Sequence, residues 1–424
     1  MHDPLASALA RRLAHVLGLS ALALPALAPA GCGGKVVLDT TAGSSSGTGG
    51  TAGTAGTAGT GGATGTGGTG GAEPACLPET SCFPGGKAPK TPPPPGNDAS
   101  ACFTPANGEA CPDAADAASS LQIGCAQITS VVAPCAGGPA GMCCYNITYE
   151  CTCVGRPFLV DGAPRTAAAI AGDDRGWRGD DLRAVPDLPR EAREALAALF
   201  TREALGEHAS IASFARFTLE LMAAGAPADL VADAHRAALD EVRHAQIAFG
   251  LASALGGAPV GPGPMPCATP AIRTDLASFA AGVAAEGCVH ETIAALVAAA
   301  RARAATVPAV AEALATIAED EARHAELAWR TLAWALAAGG DEAATAVSAS
   351  LAGAVREALA APCAPPSSID LRAFGVLDAG TTAAIVASGV AGVVEPCARA
   401  LLCHAGSVRH TGGAPLGFQP PLPV

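Results

Sequence analysis

Two pentapeptides constrain this chain more than any other feature. Asp240-Glu241-Val242-Arg243-His244 and Asp320-Glu321-Ala322-Arg323-His324 differ at one position and lie 80 residues apart. Within each, Glu and His are three residues apart, which on a helix puts a carboxylate and an imidazole on one face. One such face can offer an oxygen and a nitrogen to a metal ion, and two faces turned inward can serve two ions. Turned outward, the same residues would form a solvated, salt-bridged surface, and their repetition would record duplication alone. The flanking residues are mostly Ala and Leu, so the charges interrupt an apolar stripe, and burying them without a metal would be costly.

The surrounding pattern extends the repeat. Helical apolar spacing with almost no internal proline predicts helices near 190–224, 228–255, 272–305 and 309–338. Gly225-Ala226-Pro227 separates the first two, Gly256-Gly257 closes the second, Pro308 suits the first turn of the fourth, and Gly339-Gly340 ends it. Further helices are expected near 341–361 and 378–404. The link at 256–271 is longer and rich in Gly and Pro, so the plan is two helical hairpins joined by one crossover. Glu207 lies 34 residues before Glu241, and Glu286 lies 35 before Glu321. The offsets Glu207 to Glu286 (79), Pro227 to Pro308 (81) and Glu241 to Glu321 (80) mark an internally duplicated hairpin. Glu207 and Glu241 stand at similar distances from the first turn, and at a rise of about 1.5 Å per residue their heights differ by about 5 Å. On the third helix Glu291 competes with Glu286. The two are turned roughly 140° apart on an α-helix, and the duplication offset favours Glu286. His208 and His290 read as packing or surface histidines, and Cys288 as a buried thiol facing away from Glu286.

A Glu followed by Glu-x-x-His, twice over on four helices, resembles the ferritin-like di-iron carboxylate superfamily across about 175 residues. The resemblance implies a mainly α fold: a ferritin-like four-helix bundle over 187–362 with extra C-terminal helices at 363–405. It implies a first ligand set of Glu207, Glu241, His244, Glu286 (or Glu291), Glu321 and His324. Asp240 and Asp320 would hold the ring nitrogens of the ligand histidines, with Arg243 and Arg323 pairing with those aspartates. Carboxylates with one imidazole per ion suit two irons, and manganese or a mixed Fe/Mn pair equally. The chemistry implied is oxidation with O₂ or peroxide, on an unknown small-molecule substrate and with an electron donor. The only tyrosines, Tyr145 and Tyr149, lie outside the bundle, which argues against a tyrosyl-radical role. Paired Cys-x-x-Cys units of the rubredoxin kind are also missing. An alternative is a surface-tethered binding or metal-capture module whose bundle is structural rather than catalytic, or a metal-free scaffold.

The N-terminal half frames that expectation. Arg11 and Arg12 precede an apolar run to Ala30 and then Gly31-Cys32, which reads as a signal peptide over 1–31 with Cys32 a candidate for lipidation. Residues 32–75 carry TAG repeats and read as a Thr/Gly/Ala-rich tether. Ten of the sixteen cysteines fall between Cys76 and Cys153, which predicts a small disulfide-rich module over 76–155 in an oxidising compartment. Asn146-Ile147-Thr148 matches a glycosylation sequon. Residues 156–186 read as a connector and 406–424 as a disordered tail. Cys267, Cys363, Cys397 and Cys403 are expected to staple the later helices in two disulfides. The chain is thus expected in the cell envelope, periplasm or cell surface, with a possible lipid anchor in the membrane. A net charge of −13 without a basic stretch excludes an electrostatic footprint for nucleic acid.

Overall fold

A computed structural model describes residues 4–18, 98–103, 110–113, 126–135, 142–151, 155–160, 163–172, 175–178, 186–267, 271–360 and 370–410. The tether, Cys32, most of the expected signal segment, Cys363 and residues 411–424 lie outside them. The described chain is mainly helical.

Helix α1 (Pro4–Val16) packs its buried face, Leu9 and Leu13 included, against the main apolar core. Burying one leucine contributes about 1.5–3 kcal/mol. Arg12 adds ion pairs to Glu319, at 2.8 Å, and to Glu326. Strands β1 (Asp98–Phe103), β2 (Ala126–Pro134) and β3 (Cys143–Cys151) form an antiparallel sheet in the order β1-β3-β2. Cys111 and Cys143 are joined by a disulfide that ties β3 to the segment before β2, and Cys135 and Cys144 are each disulfide-bonded as well. Asn146 of the sequon is buried within β3.

The stretch read as a connector lies on the helical body. Strands β4 (Leu159–Val160) and β5 (Ala163–Pro164) form a short hairpin, and β6 (Ala169–Ala171) pairs with β7 (Val260–Pro262). Arg156, Phe158 and Val160 are buried. Buried Ser210 and Ser213 donate hydroxyl hydrogen bonds to the carbonyls of Arg156 and Pro157, which holds this segment against the helix that carries them.

That helix is α2 (Arg190–Ala223), which forms a hairpin with α3 (Ala228–Gly256). The third helical stretch has three parts: α4 (Leu276–Gly282), a π-helical segment (Val283–Glu291) and α5 (Thr292–Ala304). It starts a few residues later than the apolar pattern suggests, because the Asp275 side chain accepts the Ser278 N–H at 2.8 Å and caps it. Helix α6 (Pro308–Ala360) pairs with this stretch and also packs on α3. The break expected at Gly339-Gly340 is a kink: Gly340 has φ 63° and ψ −146° inside the run, a conformation open to glycine and strained for other residues. Helix α7 (Ala379–Gly389) continues through a π segment (Val390–Val394) into α8 (Glu395–His410), which enters the expected tail.

The core is built from small residues with a few aromatic anchors. Phe217 stacks on Phe279 with ring centres 6.1 Å apart, and Trp329 donates its indole N–H to Thr292 at 3.1 Å. Leu276–Ala304 and Ala379–Cys403 are long and apolar enough to cross a membrane, but both are largely buried within the protein, as core helices are. The two expected C-terminal disulfides do not both form. Cys267 is an exposed free thiol beyond β7, Cys397 is a buried free thiol facing the core from α8, and Cys403 is disulfide-bonded.

Candidate metal centre

Four helical stretches bring acid and imidazole groups to one buried point. Glu207, Glu241, His244 and Glu321 offer ligand atoms within 4.8 Å of one another, as do Glu291, Glu321 and His324. His244 Nδ1 lies 3.9 Å from Glu207, 3.6 Å from Glu241 and 3.5 Å from Glu321. His324 Nδ1 lies 3.2 Å from Glu241 and 3.8 Å from Glu321. Glu241 and Glu321 therefore face both imidazoles, while Glu207 stands on the His244 side and Glu291 on the His324 side.

The third-helix position differs from the one the duplication offset favours. Glu286 is outside both groups: it pairs with Arg216 at 2.9 Å and with Arg273. Glu291 takes the place at the cluster. The hairpin turn explains why. Glu291 lies 13 residues before Ala304, and Glu321 lies 13 after Pro308, so they stand at equal height across the turn. His208-Ala209-Ser210-Ile211-Ala212 and His290-Glu291-Thr292-Ile293-Ala294 share His, a hydroxyl residue and Ile-Ala at an offset of 82, but at that offset Glu207 aligns with Val289, so the local similarity does not select Glu291 either.

A second ring of charges holds the imidazoles from behind, and it is crossed between helices. His244 Nε2 lies 3.1 Å from Asp320 Oδ2, and His324 Nε2 lies 3.5 Å from Asp240 Oδ2. Each motif's aspartate thus serves the other motif's histidine. Arg243 pairs with Asp240 at 3.1 Å and with Asp320, and Arg323 pairs with Asp240 at 3.3 Å and with Asp320. His244, hydrogen-bonded through Nε2, presents Nδ1 to the cluster in a fixed orientation, whereas His324 Nε2 faces Asp240 at ion-pair distance without a hydrogen bond.

The electrostatics show what this packing costs. Burial, reinforced by the neighbouring Glu241, holds Glu207 well above the usual carboxylate range. Burial and then Glu291, Glu241 and Glu207 do the same to Glu321. Burial also raises Glu291, against the pull of Arg156 and His324. Burial opposes the charged forms of the other groups, but their partners overcome it. His244 and His324 pull Glu241 below the usual range. Asp320 and Glu241 push His244 up to about 10, and Asp240 and Glu241 raise His324. His244 and Arg243 bring Asp320 down to about 2. Without a cation the cluster retains protons.

Hydrogen bonding is incomplete at the same place. Glu241 Oε2, His244 Nδ1, both Glu291 oxygens, Glu321 Oε2 and His324 Nδ1 are buried without a hydrogen bond. Buried polar atoms ordinarily have partners, and six orphans converging from three helical stretches fit metal ions in both number and chemistry. Cationic metals would satisfy them and displace the protons.

A cavity lined by Phe200, Ile247, Leu251, Val297, Leu314 and Ile317 reaches Glu207 and Glu321. Glu203 and Arg301 also line it and pair at 2.8 Å. His208 packs edge-on against Trp177, and on the π segment His290 is half-buried and Cys288 buried, with none of the three in either ligand group. Sequence reasoning missed Arg156, an isolated residue in a stretch without periodicity that lies 3.4 Å from Glu291. No local pattern marks it.

Comparisons with protein-family models, curated proteins and solved structures find no match to this chain. What stands is a helical protein with a buried Glu/His cluster able to hold metal.

Proposed function

We propose that this chain is an exported, ferritin-like di-metal oxidoreductase that acts with O₂ or peroxide on a small-molecule substrate. The observation that carries the reading is the pair of ligand groups sharing Glu321, with six unpartnered buried atoms aimed between them. Glu207 and His244 would hold one ion, Glu291 and His324 the other, with Glu241 and Glu321 between them. Two iron ions fit this donor set, as do manganese or a mixed pair. When bound and reduced, such a pair supplies two electrons to O₂ or peroxide.

The protein's own residues supply the rest. Asp320 and Asp240 hold the imidazoles so that Nδ1 faces inward, and the Arg243/Arg323 pair fixes those aspartates in turn. The cavity beside Glu207 and Glu321, apolar along most of its lining, gives small molecules a route to the cluster. The Glu203–Arg301 pair sets a charged boundary on it. Export rests on the N-terminal pattern and the disulfide-rich sheet, and the intact mass of the mature chain tests it: loss of the first 31 residues supports it, and their retention opposes it.

The deciding experiment is elemental analysis of the full chain beside a Glu241→Ala/Glu321→Ala variant, followed by reduction and O₂ or peroxide challenge. Two Fe or Mn per chain, lost in the variant, with oxidant consumed, supports the proposal. Bound metal without oxidant consumption favours metal capture instead. A folded chain that takes up no transition metal would reduce the helices to a scaffold.

A further inference from the structure

Three arginines are packed on one side of the cluster, and their acidic partners differ. Arg216 and Arg273 pair with Glu286, and Arg273 also pairs with Glu220 at 3.4 Å. Arg156 instead faces Glu291, one of the candidate ligands, with Nε 3.4 Å from Oε1. Arg156 is 2% exposed and Glu291 0%. The place for this guanidinium is built. It lies over the rings of Phe214 and Phe217, at 4.7 and 4.4 Å from their centres. The backbone carbonyl of Arg156 accepts the Ser210 hydroxyl at 3.0 Å. Gly287 leaves the room: a Cβ there would stand 2.6 Å from Arg156 Nη2 and 2.6 Å from the Ala328 methyl.

On the other side of the cluster the nearest cation among the described residues is Arg301, which lines the cavity and is engaged by Glu203 at 2.8 Å rather than by a candidate ligand. Glu207 is about a quarter exposed and borders the cavity, and the charged groups that act on it most strongly are Glu241, His244 and Glu203. The His324 side is closed by Phe214, whose ring centre lies 5.0 Å from the imidazole. A metal ion at Glu207 and His244 meets ligands that no guanidinium pairs with, Arg301 being held by Glu203. One at Glu291 and His324 must share its carboxylate with a resident positive charge in a site shielded from water, where like charges repel strongly.

We propose that Arg156 makes the two halves of the centre unequal: it is a positioning residue that occupies Glu291 and weakens metal binding in the His324 half relative to the His244 half. The inference rests on the di-metal reading above. It makes the centre one that fills in order, with the cavity-side ion bound first and more tightly.

The test is a Co²⁺ titration of the full chain followed by its visible absorption, so that the readout is binding rather than turnover. The wild-type protein should take up two ions in two steps separated by about tenfold or more in affinity. Glu207→Gln should remove the tighter step and Glu291→Gln the weaker one. Arg156→Met keeps the packing against the phenylalanines and should tighten the second step about tenfold, closing the gap. Arg156→Lys keeps the charge and should retain the wild-type spacing. Circular dichroism reports whether each variant is folded. If Arg156→Met fails to fold, Arg156→Gln, which removes the charge but keeps hydrogen-bonding capacity beside Glu291, takes its place with the same expected narrowing of the gap. Two ions bound in one step by the wild type, or a gap unchanged in folded Arg156→Met, would overturn the role of Arg156 while leaving a di-metal centre. No Co²⁺ uptake by wild type would overturn the di-metal reading itself.

Discussion

The two helical hairpins carry the same motif on their second helices and differ on their first. In the α2–α3 hairpin, Glu207 comes from a regular α-helix, partly exposed beside a cavity. In the hairpin formed with α6, Glu291 comes from the end of a π-helical segment, fully buried and facing an arginine. The duplicated residues on α3 and α6 exchange partners symmetrically, Asp320 with His244 and Asp240 with His324. The comparison teaches that a repeat preserves the residues that contact one another across its own symmetry, and that the partner helices are free to drift. A π segment redirects side chains by altering the hydrogen-bond register from i→i+4 to i→i+5, and no residue type on its own announces it.

The sharpest way to break this comparison is Glu321→Gln, because Glu321 belongs to both ligand groups. Both ions should be lost together, as read by elemental analysis. Retention of a full complement would mean the groups do not share that carboxylate. Next is the contrast within the π segment. Glu291→Gln should remove one ion, and it should also destabilise the metal-free protein because buried Arg156 loses its partner. Glu286→Gln should keep both ions but cost about 3–5 kcal/mol in denaturant unfolding, because it leaves Arg216 buried without its acidic partner, while the partly exposed Arg273 keeps Glu220. The reverse outcome would restore Glu286 as the ligand.

The crossed aspartates make a finer test. Asp320→Asn should lower metal affinity by about 10–100-fold, and the loss should fall on the half held by His244, on the opposite helix. A loss confined to the His324 half would show that each aspartate serves its own motif. Acidity follows the same symmetry. His244 in the metal-free protein is raised to about 10, so its charged form stabilises the fold fully below its unfolded pKa of about 6.5, and that stabilisation fades as pH rises through about 10. The Tm of metal-free protein should therefore fall over that window, while metal-loaded protein, with the proton displaced, should lack this decline. Metal affinity should rise over the same window. The smallest effect expected is at the periphery. In the full chain that keeps its first 31 residues, Arg12→Ala removes partly exposed pairs with Glu319 and Glu326 and should cost no more than about 1 kcal/mol. A much larger cost would mark α1 as integral to the helical body.

Much was legible without coordinates. The apolar period placed the long helices near their observed ends, and Pro227, Gly257, Pro308 and Gly340 punctuate them because proline and glycine restrict or release the backbone locally. Spacing within Asp-Glu-x-Arg-His put Glu241, His244, Glu321 and His324 on inward faces for the same reason: a helix fixes the relation between residues three and four apart. The choice between Glu286 and Glu291, the crossing of the aspartates and the arrival of Arg156 belonged to the tertiary structure alone. Each depends on the height and rotation of one element against another, which packing sets and which no residue's neighbours in sequence encode. The chain wrote its ligands into its helices, and the folding of those helices together decided which carboxylate reaches the centre and which cation stands beside it.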